Sequence, residues 1–116
     1  MTSDVAQFPV VDVPDRHRFE IHDGDRVAGF TDYRRRGSLI AFIHTEVADE
    51  YEGKGAASRL ISAALEVARA QGLSVLPFCP FVRGYIAKHP DRYLDLVPAH
   101  LREDFELPAT PGVTDG

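Results

Sequence analysis

Residues 46–58 read Glu-Val-Ala-Asp-Glu-Tyr-Glu-Gly-Lys-Gly-Ala-Ala-Ser and join the end of an apolar strand to an amphipathic helix. Gly53 and Gly55, one residue apart, let the backbone take unusual dihedrals and approach a bound group closely. The free N–H groups and positive dipole end of the following helix then suit a phosphate or pyrophosphate. The segment therefore constrains both the fold and the ligand class.

The flanking sequence gives the loop its setting. Leu39 to Ile43 is continuously apolar and runs into His44-Thr45-Glu46-Val47, as expected of a central strand covered on both faces. After the loop, Ala57, Leu60, Ile61, Ala64, Leu65 and Ala68 share one helical stripe, so a helix is expected from about Gly55 to Gln71. Gly72 caps its end. Ser74 to Phe78 is a short strand, close enough behind the helix for a β-α-β crossover. Pro80 suits the first turn of a second helix that ends at His89-Pro90.

Upstream, Arg16 to His22 reads as a strand with Phe19 and Ile21 on one face. Asp23-Gly24-Asp25 is a hairpin turn, and Arg26 to Tyr33 returns as a second strand. Arg34-Arg35-Arg36-Gly37 reads as a solvated turn in preference to a binding patch. Residues 1–14 carry two prolines and no period, and read as a flexible arm. From Pro98 onward the chain turns acidic and proline-containing, and residues 107–116 read as a disordered tail. The order β-β-β-α-β-α is an α/β sandwich, an antiparallel meander feeding one parallel crossover.

Composition narrows the partners. With 116 residues, 44% hydrophobic and 27% charged, the chain is an ordinary one-domain globular protein. A net charge of −5 argues against nucleic acid or an anionic membrane. No apolar run approaches the roughly 20 residues of a membrane span, and no signal peptide is evident in residues 1–15. The single cysteine, Cys79, excludes an internal disulfide and fits a reducing cytoplasm. His44, Cys79 and His89 lack metal-ligand spacing. His89 beside Pro90 reads as a helix-end cation. The loop is neither a Walker loop, lacking Gly-Lys-Ser/Thr at the required distance, nor a dinucleotide fingerprint, lacking the third glycine.

The loop resembles the Gln/Arg-x-x-Gly-x-Gly/Ala motif of the GNAT N-acetyltransferase superfamily, matching at Gly55 and Ala57. His44-Thr45-Glu46-Val47, Pro77-Phe78-Cys79-Pro80-Phe81 and Tyr85-Ile86-Ala87-Lys88-His89-Pro90 resemble its minimal YjdJ-type branch. The resemblance covers about residues 19–97 and implies a minimal GNAT-like sandwich over 15–97. It also implies acetyl-CoA as cosubstrate and an amine acceptor, a small molecule or a protein lysine. Carried over by position, Gly53, Lys54, Gly55, Ala56, Ala57 and Ser58 would face the pyrophosphate. Glu46 and Val47 would face the pantetheine arm and acetyl group. Glu52 departs from the pattern, standing where larger members favour Gln or Arg.

Four residues are candidates for chemistry. Cys79 precedes a helix, a position that favours a nucleophilic thiolate, but it sits among apolar neighbours where buried thiols are also common. Tyr85 matches by position a tyrosine that protonates the departing CoA thiolate in larger members, or else packs inward. His44 and Glu46 alternate across Thr45, share a side of the strand, and are candidate bases for an amine or a hydrogen-bonded structural pair. Three functions are compatible: an acetyltransferase, a non-catalytic CoA- or acyl-CoA-binding module, and an interaction domain keeping only the fold.

Overall fold

The computed structural model describes residues 4–110. Among these residues five strands form one sheet in sequence order: β1 (Val10–Val13), β2 (Arg18–Asp23), β3 (Arg26–Arg36), β4 (Leu39–Val47) and β5 (Ser74–Pro77). The first four are antiparallel neighbours and β5 joins β4 in parallel. Helix α1 (Ala56–Ala70) is the crossover, followed by α2 (Pro80–Lys88) and the single-turn α3 (Pro90–Tyr93). The expected α/β architecture is present, with one more strand than the sequence suggests.

The helix stripe packs as its period dictates. Leu60, Ile61, Ala64, Leu65 and Ala68 are fully buried against Phe19, Ile21, Ile40 and Phe42 of the sheet. Gly72, with φ of +69°, terminates α1 and turns the chain into β5.

Three segments differ from their sequence expectation. Within the supposed arm, Val10–Val13 pairs with Arg18–Ile21 as an edge strand, and Val5 and Phe8 are buried. Pro9 and Pro14 bracket that strand rather than loosening it, since a proline at the end of an edge strand forfeits no ladder bond. The arginine run is no turn: Arg34, Arg35 and Arg36 continue β3 opposite Ala41, Ile40 and Leu39, and the turn is Gly37-Ser38. Pairing with Leu39–Ala41 of β4 carries the ladder through the charged residues. Beyond Val97 the chain makes two 3-10 turns, Ala99–Leu101 and Glu103–Phe105, and buries Phe105 and Leu107. Of the expected tail, residues 111–116 lie outside the described residues.

One irregularity decides which side chains reach the site. Asp32 pairs with His44 and Tyr33 with Phe42, so Ile43 is an extra residue in β4. Such a bulge reverses the alternation. Ile40 and Phe42 face the helices before it; Thr45 and Val47 do so after it, leaving His44 and Glu46 on the outer face.

Candidate functional site

Strands β4 and β5 part company where the bulge lies. Their parallel pairing ends at Phe42 opposite Pro77, and the Cys79 N–H closes the seam by donating to the Phe42 carbonyl at 2.8 Å. Past that point Ile43–Val47 has no strand partner on the β5 side among the described residues. The gap opens into a cleft of about 480 Å³ lined by Thr45, Val47, Tyr51, Glu52, Gly53, Gly55, Ala56, Ala57, Ser58 and Phe81.

The glycine loop forms one wall. Gly53 and Gly55 have φ of +77° and +87°, dihedrals that favour glycine. Gly55 is the N-cap of α1 and carries no side chain to cap it. Among the described residues the first-turn N–H groups of α1 therefore have no side-chain acceptor, an arrangement suited to an anion at the dipole's positive end. A 3-10 turn, Asp49–Tyr51, leads into the loop. Its Tyr51 is held on two sides, by hydroxyl donation to Asp23 at 2.5 Å and by edge-on packing with Phe8. Acceptance by Asp23, then burial, raises the Tyr51 phenol above its ordinary value.

A second hollow of about 760 Å³ opens on the outer face, lined by Arg18, Phe30, Glu46, Asp49 and Glu52 among others. Thr45, Val47 and Glu52 line both spaces. Arg18 lies over the Phe30 ring at 4.3 Å and donates to Glu20 at 2.7 Å. Glu20 also meets His22 at 2.8 Å. Burial acts to raise the Glu20 carboxyl, but the hydrogen bonds of His22 and Arg18 and the Arg18 charge hold it below its ordinary value. With Arg18 neutralised in this way, Glu46, Asp49 and Glu52 leave the hollow acidic.

The structure distributes the expected site residues unevenly. Val47, Gly53, Gly55, Ala56, Ala57 and Ser58 line the cleft together. Lys54 lies just outside, in a neighbouring hollow with Gly55, Ser58, Arg59 and Tyr85. Glu46 faces the outer hollow and accepts from His44 at 3.1 Å, so that pair does share a side of the strand. Cys79 is 3% exposed and lines neither space, with its sulfur 3.2 Å from the Thr45 hydroxyl. Tyr85 packs against His89 with ring centroids 4.5 Å apart and lines the neighbouring hollow, not the cleft itself. Thr45, Tyr51 and Phe81 line the cleft without having been singled out from sequence. The bulge at Ile43 turns Thr45 inward, and no local residue pattern announces it. Among the described residues no group of three or more His, Cys, Asp or Glu could hold a metal ion, and no helix is long and apolar enough to cross a membrane.

The family model described as GCN5-related N-acetyl-transferase matches residues 18–96, well over half of the chain. The chain belongs to the GCN5-related N-acetyltransferase family. The match runs from β2 to just past α3 and so contains every wall of the cleft. The fold agrees: the solution structure of a GCN5-like protein from Staphylococcus aureus is similar, with a TM-score of 0.60 and 25% identity. That likeness covers 84% of this chain and 91% of the other. Acetyl transfer is thus the general chemistry of the family to which this cleft belongs.

Proposed function

We propose that the protein transfers an acetyl group from acetyl-CoA to a cationic amine. The observation that carries this reading is the uncapped first turn of α1, preceded by Gly53 and Gly55, opening onto the same cleft as the unpaired edge of β4. The N–H groups of Gly55, Ala56, Ala57 and Ser58 would hold the pyrophosphate, with Lys54 adding charge from the flank. The free edge at Glu46 and Val47 would pair with the amides of the pantetheine arm, as an added strand would. Backbone donors there would polarise the thioester carbonyl.

The acceptor would enter from the outer hollow, where Glu46, Asp49 and Glu52 attract an ammonium group. Glu46, with His44 beside it, is placed to take the amine proton directly or through a water. Direct attack by the amine on the acetyl carbon needs no protein nucleophile, which suits a thiol as buried as Cys79. Glu52 fits this division of labour. A carboxylate lining both spaces would attract the amine from the outer side, at the cost of repelling the pyrophosphate where it faces the cleft. The strings His44–Val47, Pro77–Phe81 and Tyr85–Pro90 support the YjdJ-type branch, and a single buried cysteine supports a cytoplasmic place of action.

A non-catalytic CoA-binding module would share the cleft but not the need for an acidic outer hollow, which favours the enzyme. The test is release of free CoA from acetyl-CoA in the presence of small diamines and lysine peptides. Turnover with cationic acceptors that falls at least tenfold in Glu46→Gln supports the enzyme. Binding of acetyl-CoA with no turnover on any amine supports the module.

A further inference from the structure

We propose that Thr45 is a catalytic residue, its hydroxyl donating a hydrogen bond to the departing sulfur of the thioester. The proposal rests on reading the cleft as the acetyl-CoA site. The Thr45 oxygen lies 3.0 Å from the Thr31 hydroxyl and 3.2 Å from the Cys79 sulfur. Thr31 is 0% exposed and Cys79 3% exposed. Thr45, by contrast, lines both the cleft and the outer hollow.

The proposed chain of hydrogen bonds runs toward Thr45. A hydroxyl carries one hydrogen and two lone pairs, and a thiol carries one weakly donating hydrogen. Neither the Thr31 hydroxyl nor the Cys79 thiol has another side-chain or backbone acceptor among the described residues. A buried donor left unmade is the more costly outcome. In this proposal both donate to Thr45 and occupy its two lone pairs. The Thr45 hydrogen is then free to point into the cleft, one of the two spaces that Thr45 lines. Donation from Thr31 and Cys79 also polarises the Thr45 hydroxyl and strengthens it as a donor.

Position specifies what that hydrogen meets. Thr45 and Cys79 lie just past Phe42 and Pro77, the last paired residues of β4 and β5. Their side-chain contact floors the gap into which the pantetheine arm would run, below the thioester. In the transfer the amine nitrogen bonds to the acetyl carbon, and the carbon–sulfur bond breaks with its electron pair on sulfur. Thr45 keeps its proton and stabilises the new thiolate by hydrogen bonding. The amine proton leaves to Glu46 or water, and the thiolate takes its proton from solvent. Thr31 and Cys79 are positioning residues in this scheme, and Tyr85 has no part in it.

The single cysteine makes a direct spectroscopic test possible. In Cys79→Ser, which retains a donor, bound CoA carries the only thiol, and its ionisation is read by thiolate absorbance. The expected result is a bound-thiol pKa about one unit below that of free CoA, returning to the free value when Thr45→Val is added. In the otherwise native chain Thr45→Val should lower kcat ten- to a hundredfold with KM for acetyl-CoA changed less than threefold. Thr45→Ser, which keeps a hydroxyl, should lower kcat less than Thr45→Val does, and it stands in should the valine variant fold poorly: loss of the shift in serine overturns the proposal. CoA binding with an unshifted thiol and unchanged kcat in Thr45→Val also overturns it. Failure of the native chain to bind CoA at all sinks instead the reading of the cleft.

Discussion

The Tyr51 hydroxyl donates to the Asp23 carboxylate at 2.5 Å, tying the entry of the glycine loop to the hairpin between β2 and β3. Residues 28 positions apart thus set one wall of the cleft. Tyr51→Phe keeps the ring against Phe8 and removes the tie. The expected outcome is acetyl-CoA binding weakened three- to tenfold by calorimetric titration, with the melting temperature nearly unchanged. The sign with pH follows from the raised phenol: the tie is intact below the ordinary tyrosine value of 10.0 and is lost as pH rises through the higher folded value. Affinity should fall in that alkaline range in the native chain and not in Tyr51→Phe.

Gly29 is a second remote control on the cleft. A Cβ there would stand 2.8 Å from the Glu46 carbonyl oxygen and 3.1 Å from a Val47 methyl. Backbone cannot yield as a flexible side chain can, so Gly29→Ala should push the Glu46–Val47 edge away from β3. A loss of about 1–3 kcal/mol in denaturant melts is expected, by analogy with overpacking. KM for acetyl-CoA should rise together with it, because the displaced edge is the one that would pair with the pantetheine arm.

The outer face is held by Glu20, whose carboxylate serves Arg18 and His22. Its folded value is depressed, so its contribution is present above the ordinary 4.5 and is lost as pH falls through the folded value. Glu20→Gln should destabilise by about 2 kcal/mol at neutral pH, the scale of a lost hydrogen bond to a charged group. Urea melts at descending pH should show the two proteins converging below about pH 4.5.

Most of the cleft was legible in the sequence because local rules govern it. The apolar run Leu39–Ile43, the spaced Gly53 and Gly55, and the stripe from Leu60 to Ala68 each carry their own signal, and together they place a helix N-terminus at a strand end. What was not legible depends on distant partners. Val10–Val13 is a strand only because β2 lies alongside it, and Arg34–Arg36 stay extended because Leu39–Ala41 pair with them. The reversal at Ile43 is a mismatch between two strands, visible in neither alone, and it alone brings Thr45 to the cleft and sends Glu46 to the outer face. Cys79 reads locally as a helix-start thiol, and its burial depends on the distant Thr45 and Phe42 that contact it.

The central claim is that the uncapped start of α1 holds acetyl-CoA, and calorimetric titration of acetyl-CoA into the native chain and into Gly55→Glu tests it most directly. Gly55 has φ of +87°, so any side chain there is strained, and a carboxylate adds repulsion where the pyrophosphate would lie. Saturable one-to-one binding to the native chain is expected, with a melting temperature raised by several degrees at a hundredfold excess over Kd, where linkage gives about 2.7 kcal/mol. Both should disappear in a folded Gly55→Glu protein. A native chain that shows no heat and no thermal shift with millimolar acetyl-CoA, or a variant that binds as well as the native chain, would contradict the account.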